Sequence, residues 1–373
     1  MKRIKLVTVL GTRPEIIRLS AIINKLDASE AFNHILVHTG QHYDYELSQV
    51  FFDEFNIRKP DYFLNASGDS PVAKVGNILI EIDKVLDQEK PDAFLVLGDT
   101  NSCLASIAAK RKKIPVFHME AGNRCFDHRV PEETNRIIVD HLADINLPYT
   151  DISRAHLINE GIAPDRIIKT GSPLLEVIQS KIQEIENSKI LDKLNLKMNE
   201  YYLVSTHREE NVDTGNLIKL ISAFNDIAEE NKLPIIFSAH PRTKRRLVEE
   251  KITLHPLITL IKPLGFIDFN SLQVNAKAVL SDSGTISEEA SILKFKALNL
   301  REAHERPEAY EEGAVMMVGA NPERIKQGLK ILETQSRDLI RLHPDYDVPN
   351  VSDKVLRIIV GYIDYINRVT WHK

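Results

Sequence analysis

The sequence predicts an α/β protein built from two Rossmann-like domains. At 373 residues the chain exceeds a single ordinary core, and two domains fit the usual size range. Short apolar runs alternate with amphipathic segments along the whole chain, a pattern typical of parallel strands connected by helices. The apolar fraction of 43% is sufficient for two hydrophobic cores.

The first half has the rhythm of a doubly wound sheet. Apolar runs predict strands at Ile4–Leu10, His34–His38, Ala93–Leu97 and Pro115–His118. Helical periodicity lies between and after them, at Pro14–Leu26, Tyr45–Asn56, Val72–Gln88 and Ser102–Lys112. The half is completed by a helix at Glu132–Leu142, a strand at Asp144–Pro148, a helix at Ile152–Glu160 and a short run at Arg166–Thr170. A Gly171-Ser172-Pro173 turn then predicts a domain boundary.

The second half repeats this alternation after a charged helical stretch, Leu174–Leu194. Its predicted strands are Tyr202–Ser205, Pro234–Ser238, Leu257–Ile261, Ala278–Leu280 and Ala297–Leu300. We therefore predict an amino-terminal domain at 1–172 and a second domain at 173–353. The last segment, 354–373, is predicted to be a helix that packs back on the first domain.

Charge and cysteine content exclude several classes of function. The net charge is −5, the isoelectric point is near 6.2 and basic residues are scattered, which argues against nucleic acid and favours a small-molecule partner. Cys103 and Cys125 lack the spacing of a zinc site or a disulfide framework, so a cytoplasmic protein is expected. The apolar amino terminus continues directly into GTRPE, as a first strand does, and no run approaches the length that spans a membrane.

Acidic residues follow or open consecutive elements of the first half. Asp99 follows the strand AFLVL, Glu120 follows VFHM, and Glu132 opens a helix. Ligands bind beyond the carboxyl ends of parallel strands, so these carboxylates are expected at one crevice, as candidates for proton transfer. Helix capping by Asp99 or Glu132, and ion pairing of Glu120 with Arg124 or Arg136, are the structural alternatives.

Neighbouring turns of the first half carry further candidate ligands. GTRPE at 11–15 has the pattern of a helix start with a capping box. Its backbone N–H groups suit an anion, and Arg13 and Arg18 add positive charge, although a well-capped helix is the simpler alternative. After the second strand, Gln41 and His42 are predicted to face the crevice, unless they are ordinary loop residues.

The second half has polar turns at corresponding positions. STHREEN places His207 and Arg208 after its first strand, and SAHPRTK places His240 and Arg242 after the next. A lone histidine is more often structural, but these border polar runs at strand ends.

VLSDSGTISEEA gives the strongest local signal. It reads as a strand, a tight turn at Ser283, Gly284 and Thr285, and a helix start that presents N–H groups to a phosphate. Glu288 or Glu289 could hold ribose hydroxyls, although exposed acids are the ordinary case. In the following turn, Arg301 and Arg306 are suited to a diphosphate. The sequence has no GxGxxG and no GxxxxGK[ST], so no nicotinamide cofactor and no P-loop are predicted, and no metal site either.

These motifs, taken in order, resemble the non-hydrolysing UDP-N-acetylglucosamine 2-epimerase family over essentially the whole chain. The motifs are GTRPE, GQH, GDT, MEAGNR, PEETNR, THREEN, SDSGT-EE and ERPE. The stretches EAGNRCFDHRVPEETNR, AHPRTKRR, KPLGF and NLREAHERPE resemble the branch that converts UDP-2-acetamido-2,6-dideoxy-β-L-talose into UDP-N-acetyl-L-fucosamine. Arg18 and Thr285 stand where the family usually has lysine and glycine, and the segment between Arg124 and Pro131 is short and different.

The resemblance implies a glycosyltransferase-B type fold, in which two Rossmann-like domains face a central cleft. It implies a cytoplasmic homodimer that takes a UDP-amino-sugar, needs no cofactor and serves capsule or O-antigen polysaccharide biosynthesis. It implies acid/base roles for Asp99, Glu120 and Glu132, and a catalytic or leaving-group contact for His207. It also implies sugar and diphosphate contacts for Arg13, Arg18 and Arg136, uracil stacking for Phe269, phosphate binding at Ser283, Gly284 and Thr285, a ribose contact for Glu289 and a diphosphate contact for Arg306.

The implied reaction is epimerisation at carbon 2 by elimination and re-addition of UDP. The alternatives are a UDP-N-acetylglucosamine 2-epimerase, a glycosyltransferase of the same fold, and a noncatalytic nucleotide-sugar sensor. Exchange of the carbon 2 proton with solvent distinguishes an epimerase from the last two.

Overall fold

The computed structural model describes residues 2–40, 49–206, 211 and 215–373. The chain forms two compact units, the first of Met1–Gln179 with Pro344–Lys373 and the second of Ser180–His343. Each contains a parallel sheet of six described strands, so the predicted α/β class with two Rossmann-like domains is confirmed. Within the described ranges, even the longest helices are too short or too polar to traverse a lipid bilayer.

The first unit has the strand order β3-β2-β1-β4-β5-β6. Its strands are β1 Ile4–Leu10, β2 Phe32–His38, β3 Tyr62–Phe63, β4 Ala93–Leu97, β5 Val116–Met119 and β6 Ile145–Leu147. Its helices are α1 Arg13–Ala28, α2 Gln49–Glu54, α3 Pro71–Glu89, α4 Ser106–Arg111, α5 Pro131–Leu142 and α6 Asp151–Asn159, and α7 Leu174–Glu186 runs across the boundary. The order reverses between β1 and β4, so a crevice for ligands is expected beyond the carboxyl ends of these strands.

The second unit has the order β12-β11-β10-β7-β8-β9, which is the same winding read from β9. Its strands are β7 Tyr202–Thr206, β8 Ile235–Ala239, β9 Ile258–Ile261, β10 Ala278–Ser281, β11 Ala297–Asn299 and β12 Met316–Met317. Its described helices are α8 Ile190–Lys193, α9 Asn216–Asn231, α10 Pro241–Glu249, α11 Phe266–Asn275, α12 Ile286–Leu293, α13 Glu308–Glu311 and α14 Pro322–Thr334. Here the order reverses between β7 and β10.

The central strands are buried on both faces, as their continuous apolar sequences indicate. Successive residues of β7 enter different clusters, with Val204 among the side chains of α9 and Leu203 among those of α11 and α12. Burial on both sides explains why the strands were evident from the sequence. The two-residue strands β3 and β12 are too short to give such a pattern and were not predicted.

The last helix, α15 Val351–Val369, lies in the first unit. The segment before it also belongs there, because Asp345 accepts a hydrogen bond from the Asp151 N–H at 2.9 Å and from Lys169 Nζ at 2.6 Å. The compact unit therefore resumes at Pro344, whereas the sequence placed this boundary at 353/354. The first division similarly falls after Gln179 rather than after residue 172, because Leu174, Leu175 and Ile178 are buried in α7.

Several predicted helices are shorter or interrupted in the structure. The predicted helix Ser102–Lys112 is a 3-10 turn, Asn101–Ala105, followed by α4. The stretch Leu174–Leu194 is broken between α7 and α8, where Ser188 Oγ accepts a hydrogen bond from the Ile190 N–H. Of the predicted helix Tyr45–Asn56, the described part contains α2.

Candidate active site

Asp99 and Glu120 follow the carboxyl ends of the adjacent strands β4 and β5. Glu120 is buried, and its Oε1 lies 4.0 Å from the position that a Cβ atom would occupy on Gly98, the residue before Asp99. Both turns use left-handed backbone, with φ of 71° at Gly98 and 62° at Glu120. The structure thus brings the two predicted acids to one edge of the sheet.

Glu120 pairs with Arg18, which comes from the other side of the strand-order reversal. Arg18 Nε lies 3.4 Å from Glu120 Oε2, and both side chains are buried. The guanidinium also donates to Ser172 Oγ at 3.2 Å and lies 5.5 Å from the centre of the Tyr149 ring. Arg18 is therefore in place beside a candidate acid. Arg124, one of the two partners considered as a structural alternative for Glu120, pairs with Asp140 and Glu160.

Asp99 is held by residues of the first two turns of α5. Arg136 Nε donates to Asp99 Oδ2 at 2.7 Å, and Asn135 Nδ2 donates to the Asp99 carbonyl at 2.8 Å. Glu132 lies in the first turn of the same helix and is half-buried. These two contacts hold α5 against the turn that carries Asp99. Glu132 lies at the amino-terminal end of the same helix.

Glu133 is a buried acid that the sequence analysis missed. It accepts hydrogen bonds from the N–H groups of Cys125 and Phe126 and from Arg136 Nη1, the last at 2.6 Å. Burial raises the pKa of Glu133, but these donors outweigh burial and hold the pKa below its usual value. The helical phase could have revealed this residue, because Glu133, Arg136 and Asp140 share the buried face of α5.

Glu15 occupies the helix start that was expected to bind an anion. Its Oε2 accepts hydrogen bonds from the Gly11 and Thr12 N–H groups at 2.8 and 2.7 Å, so these donors are directed to Glu15. Thr100 Oγ1 donates to Glu15 Oε1 at 2.8 Å and accepts from the Ser102 N–H. Thr100, rather than Asp99, thus caps the 3-10 turn. Burial raises the pKa of Glu15 to about 7, although the hydrogen bonds from Thr100, Gly11 and Thr12 lower it.

Arg13 remains near this helix start. It is half-buried, and its guanidinium carbon lies 6.0 Å from the centre of the Phe51 ring. The positive charge expected at the start of α1 is therefore supplied by Arg13 and Arg18.

In the second unit, the Ser283-Gly284-Thr285 turn joins β10 to α12. Ser283 Oγ and Thr285 Oγ1 are hydrogen bonded at 2.9 Å, and Thr285 Oγ1 donates to Glu289 Oε1 at 2.7 Å. Gln273 Nε2 donates to Glu289 Oε2 at 2.8 Å. Glu289 is thus half-buried with one donor on each oxygen, whereas its neighbour Glu288 is fully buried.

The turn after β11 contacts the Ser283-Gly284-Thr285 turn through Arg306. Arg306 Nη1 donates a hydrogen bond to the Gly284 carbonyl. Arg301 is also buried, but its Nη1 donates to Glu305 Oε2 at 2.7 Å. The structure therefore brings Arg306 to the turn, and Arg301 forms an ion pair within its own loop.

The remaining predicted site residues have fewer described contacts with the two turns above, or lie outside the described residues. Phe269 is a half-buried residue of α11 that packs against the hydrophobic cluster on one side of the second sheet. His240 is the residue before α10, where its Nδ1 accepts from the Arg242 N–H at 3.3 Å, and Arg242 is exposed. Gln41, His42 and His207 lie outside the described residues. In the described part of the chain, no cluster of three or more His, Cys, Asp or Glu side chains could hold a metal ion.

Comparison with known proteins gives a match over most of the chain. Residues 24–360 match a protein family described as UDP-N-acetylglucosamine 2-epimerase. A relative of that name from Methanocaldococcus jannaschii is 39% identical over 349 residues, which cover 90% of this chain and 93% of the relative. The UDP-2,3-diacetamido-2,3-dideoxy-D-glucuronate 2-epimerase of Pseudomonas aeruginosa is 33% identical, with 87% of this chain and 91% of the relative covered.

Solved structures agree with this match. A UDP-N-acetylglucosamine 2-epimerase from Rickettsia bellii is 48% identical, with a TM-score of 0.93 and complete coverage of both chains. The Methanocaldococcus jannaschii UDP-GlcNAc 2-epimerase, in complex with UDP-GlcNAc and UDP, is 36% identical with a TM-score of 0.89, covering 96% of this chain and 100% of that one.

Proposed function

Since the chain belongs to the UDP-N-acetylglucosamine 2-epimerase family and is a nucleotide-sugar 2-epimerase, we propose that its substrate is UDP-2-acetamido-2,6-dideoxy-β-L-talose. The product is UDP-N-acetyl-L-fucosamine. The proposal is supported by the branch-like stretches around Arg124–Arg136, Ala239–Arg246 and Asn299–Glu308, and by Arg18 and Thr285, which depart from the family pattern.

The chemistry begins with departure of UDP. The carbon 2 hydrogen of the sugar is not adjacent to a carbonyl, so a carboxylate alone faces a prohibitive barrier. As UDP leaves, the anomeric carbon becomes oxocarbenium-like and acidifies this hydrogen. A base then removes it to give a 2-acetamidoglycal, and UDP adds back while an acid delivers a proton to the opposite face.

We assign the proton transfers to Asp99, Glu120 and Glu132. The observation that carries this assignment is the convergence of Asp99 and Glu120 at adjacent strand ends, each against a buried guanidinium. Arg13, Arg18 and Arg136 are assigned to the sugar and to the leaving diphosphate, because positive charge would stabilise the negative charge that develops there. His207 is assigned a leaving-group contact, and Gln41, His42, His240 and Arg242 are assigned to substrate binding.

The second unit is assigned to the uridine diphosphate. The Ser283-Gly284-Thr285 turn opens a helix, and the N-terminus of a helix is favourable for phosphate. The Arg306 side chain, from the turn after β11, contacts this turn at Gly284 and suits the diphosphate. Glu289, held by Thr285 and Gln273, is assigned to the ribose hydroxyls, and the half-buried ring of Phe269 to uracil.

The proposal places this reaction in the cytoplasm, in a homodimer, as a step of surface polysaccharide biosynthesis such as capsule or O-antigen. The intracellular setting is supported by two cysteines without disulfide spacing. The remaining points rest on the resemblance of the motifs.

A second candidate substrate is UDP-N-acetylglucosamine. It is favoured by the names of the relatives that are 39% and 48% identical. The two candidates share the same elimination chemistry and differ in the sugar that the first unit accepts.

One experiment separates these possibilities. Each nucleotide sugar is incubated with the protein in deuterated water, and the carbon 2 proton is followed by NMR. We expect faster exchange and inversion with the L-talo sugar. Faster turnover of UDP-N-acetylglucosamine would support the second candidate, and exchange with neither sugar would defeat both.

The role of Glu120 is tested in the same assay. Glu120→Gln should abolish epimerisation, because the amide cannot act as a base, and should retain UDP affinity. Glu81→Gln is a suitable control, since Glu81 forms an exposed ion pair with Lys84. An equal loss of UDP binding and turnover in Glu120→Gln would refute the assignment.

A further inference from the structure

A buried histidine and aspartate connect the turns that carry Asp99 and Glu120. His118 lies in β5, and its Nε2 donates to the Gly98 carbonyl at 2.9 Å. Its Nδ1 lies 2.9 Å from Asp140 Oδ1, and neither side chain is accessible to solvent by more than 1%. One imidazole thus joins the end of β4 to α5.

Asp140 completes the connection on the Glu120 side. Its two carboxylate oxygens accept from the Gly122 N–H at 3.2 and 3.1 Å. Arg124 Nη1 also donates to Asp140 Oδ2 at 2.7 Å, and Arg124 pairs in turn with Glu160. The buried negative charge of Asp140 is therefore compensated from two directions.

The turns held in this way have unusual backbone. Gly98 and Gly122 have φ of 71° and 80°, and Glu120 has φ of 62°. Left-handed backbone is unfavourable for a residue with a side chain, so Glu120 keeps this conformation only if its surroundings hold it there. The hydrogen bonds to Gly98 and Gly122 act on the residue before Asp99 and on the second residue after Glu120.

We propose that His118 and Asp140 are positioning residues for the epimerisation, which keep the Asp99 and Glu120 carboxyl groups aligned by tying the two turns together. This inference rests on the proposed function of these acids. Neither positioning residue needs to touch the sugar, because both act through backbone atoms.

The surroundings of His118 also act on its pKa. Burial lowers the pKa of the imidazole, but the contacts with Asp140 and the Gly98 carbonyl outweigh burial and raise the pKa. Nε2 donates to the Gly98 carbonyl, and Nδ1 faces the Asp140 carboxylate at 2.9 Å, so positive charge on the ring is favoured beside that carboxylate. Loss of either contact frees one turn from the other.

The test compares His118→Phe with His118→Gln. Phenylalanine preserves volume and removes both contacts, and we expect kcat to fall by about 100-fold, since small misplacements of catalytic groups have effects of this size. KM and the Kd for UDP should change by less than about two-fold because the nucleotide contacts are assigned elsewhere. Glutamine offers an amide donor near the position of Nε2 and should recover about ten-fold of the lost kcat.

His34 provides a matched control. It is a second buried histidine of the same sheet, with Nδ1 2.7 Å from Asp27 and Nε2 3.0 Å from Thr8 Oγ1, but it lies within β2. His34→Phe should lower the urea midpoint as His118→Phe does and leave kcat within about two-fold, because no candidate acid depends on it.

Each outcome bears on a distinct conclusion. Wild-type kcat in His118→Phe, or equal loss of kcat in both phenylalanine variants, would overturn the inference. If His118→Phe has no cooperative unfolding transition, Asp140→Asn replaces it with the same expected separation of kcat from KM. Failure of the wild-type protein to turn over either nucleotide sugar would count against the proposed function instead.

Discussion

Arg136 Nε lies 2.7 Å from Asp99 Oδ2, so a single guanidinium connects a candidate acid to the buried core of α5. The same side chain contacts Glu133 at 2.6 Å through Nη1. Arg136 therefore stabilises the fold and sets the position of Asp99 at the same time.

Arg136→Met should destabilise the protein strongly. The variant leaves the buried carboxylate of Glu133 without its cation, and breaking a buried ion pair typically costs about 3–5 kcal/mol of unfolding free energy. Urea denaturation measures this loss. Arg129→Met is the control, because Arg129 is exposed and pairs with Asp127 on the same segment, and its urea midpoint should not change. Equal midpoints for the two variants would contradict the prediction.

Glu15 should make stability fall as pH rises from about 4.5 to about 7. Its folded pKa of about 7 lies above the ordinary value of 4.5, so the folded state holds a proton that the unfolded state releases in this window. The stabilising contribution is complete below pH 4.5 and is lost as pH passes 7. The shift corresponds to roughly 3 kcal/mol.

The measurement is the unfolding free energy of the wild type minus that of Glu15→Gln, followed across this pH range. The difference isolates Glu15 from the other titrating groups. A difference that stays constant would mean that the four hydrogen bonds donated to Glu15 compensate its burial completely.

Thr285→Val should weaken UDP binding by about five-fold, the effect of one hydrogen bond worth roughly 1 kcal/mol. The valine removes the donor to Glu289 Oε1 and leaves Gln273 as the remaining donor to that carboxylate. Calorimetry with UDP measures the change. Thr285→Ser retains the hydroxyl and should bind UDP as the wild type does, whereas normal binding by the valine variant would argue against the ribose assignment of Glu289.

Gly122→Ala should destabilise the protein by more than about 3 kcal/mol, because backbone strain and a steric clash add. A Cβ atom at Gly122 would lie 2.3 Å from the Ser153 carbonyl oxygen, with φ at 80°. Gly161 has a similar φ of 89° with nothing within 4 Å of such a Cβ, so Gly161→Ala should cost only about 1 kcal/mol. Thermal unfolding of the Gly122→Ala and Gly161→Ala variants separates the effect of the steric clash from that of backbone strain. Similar losses of stability in the two variants would show that Ser153 moves aside.

The buried face of α5 shows which features of the site could be predicted from the sequence and which could not. Glu132 and Glu133 are adjacent, and Glu132 was selected as a candidate acid because it opens the predicted helix. Adjacent helical residues point about 100° apart, so only one of them can face the core. Glu133 takes that place and binds Arg136, which leaves Glu132 half-buried in the first turn.

Ion-pair partners were the least predictable feature. Arg124 and Arg136 follow Glu120 closely in the chain, and pairing with one of them was the structural alternative to a catalytic role. Arg18 contacts Glu120 from α1, and Arg124 pairs with Asp140 and Glu160. The partner of each charged side chain depends on which residues the crossover helices bring together. This cannot be predicted from the local sequence.

The apolar runs on their own were enough to specify the two parallel sheets and to place Asp99 and Glu120 at strand ends, because burial of a strand on both faces demands a continuous apolar sequence. The partners of these acids, the occupation of the first helix start by Glu15 and the linkage through His118 were decided by tertiary packing. Burial makes every charged or polar group find a complement, and only the folded chain determines which group is within reach.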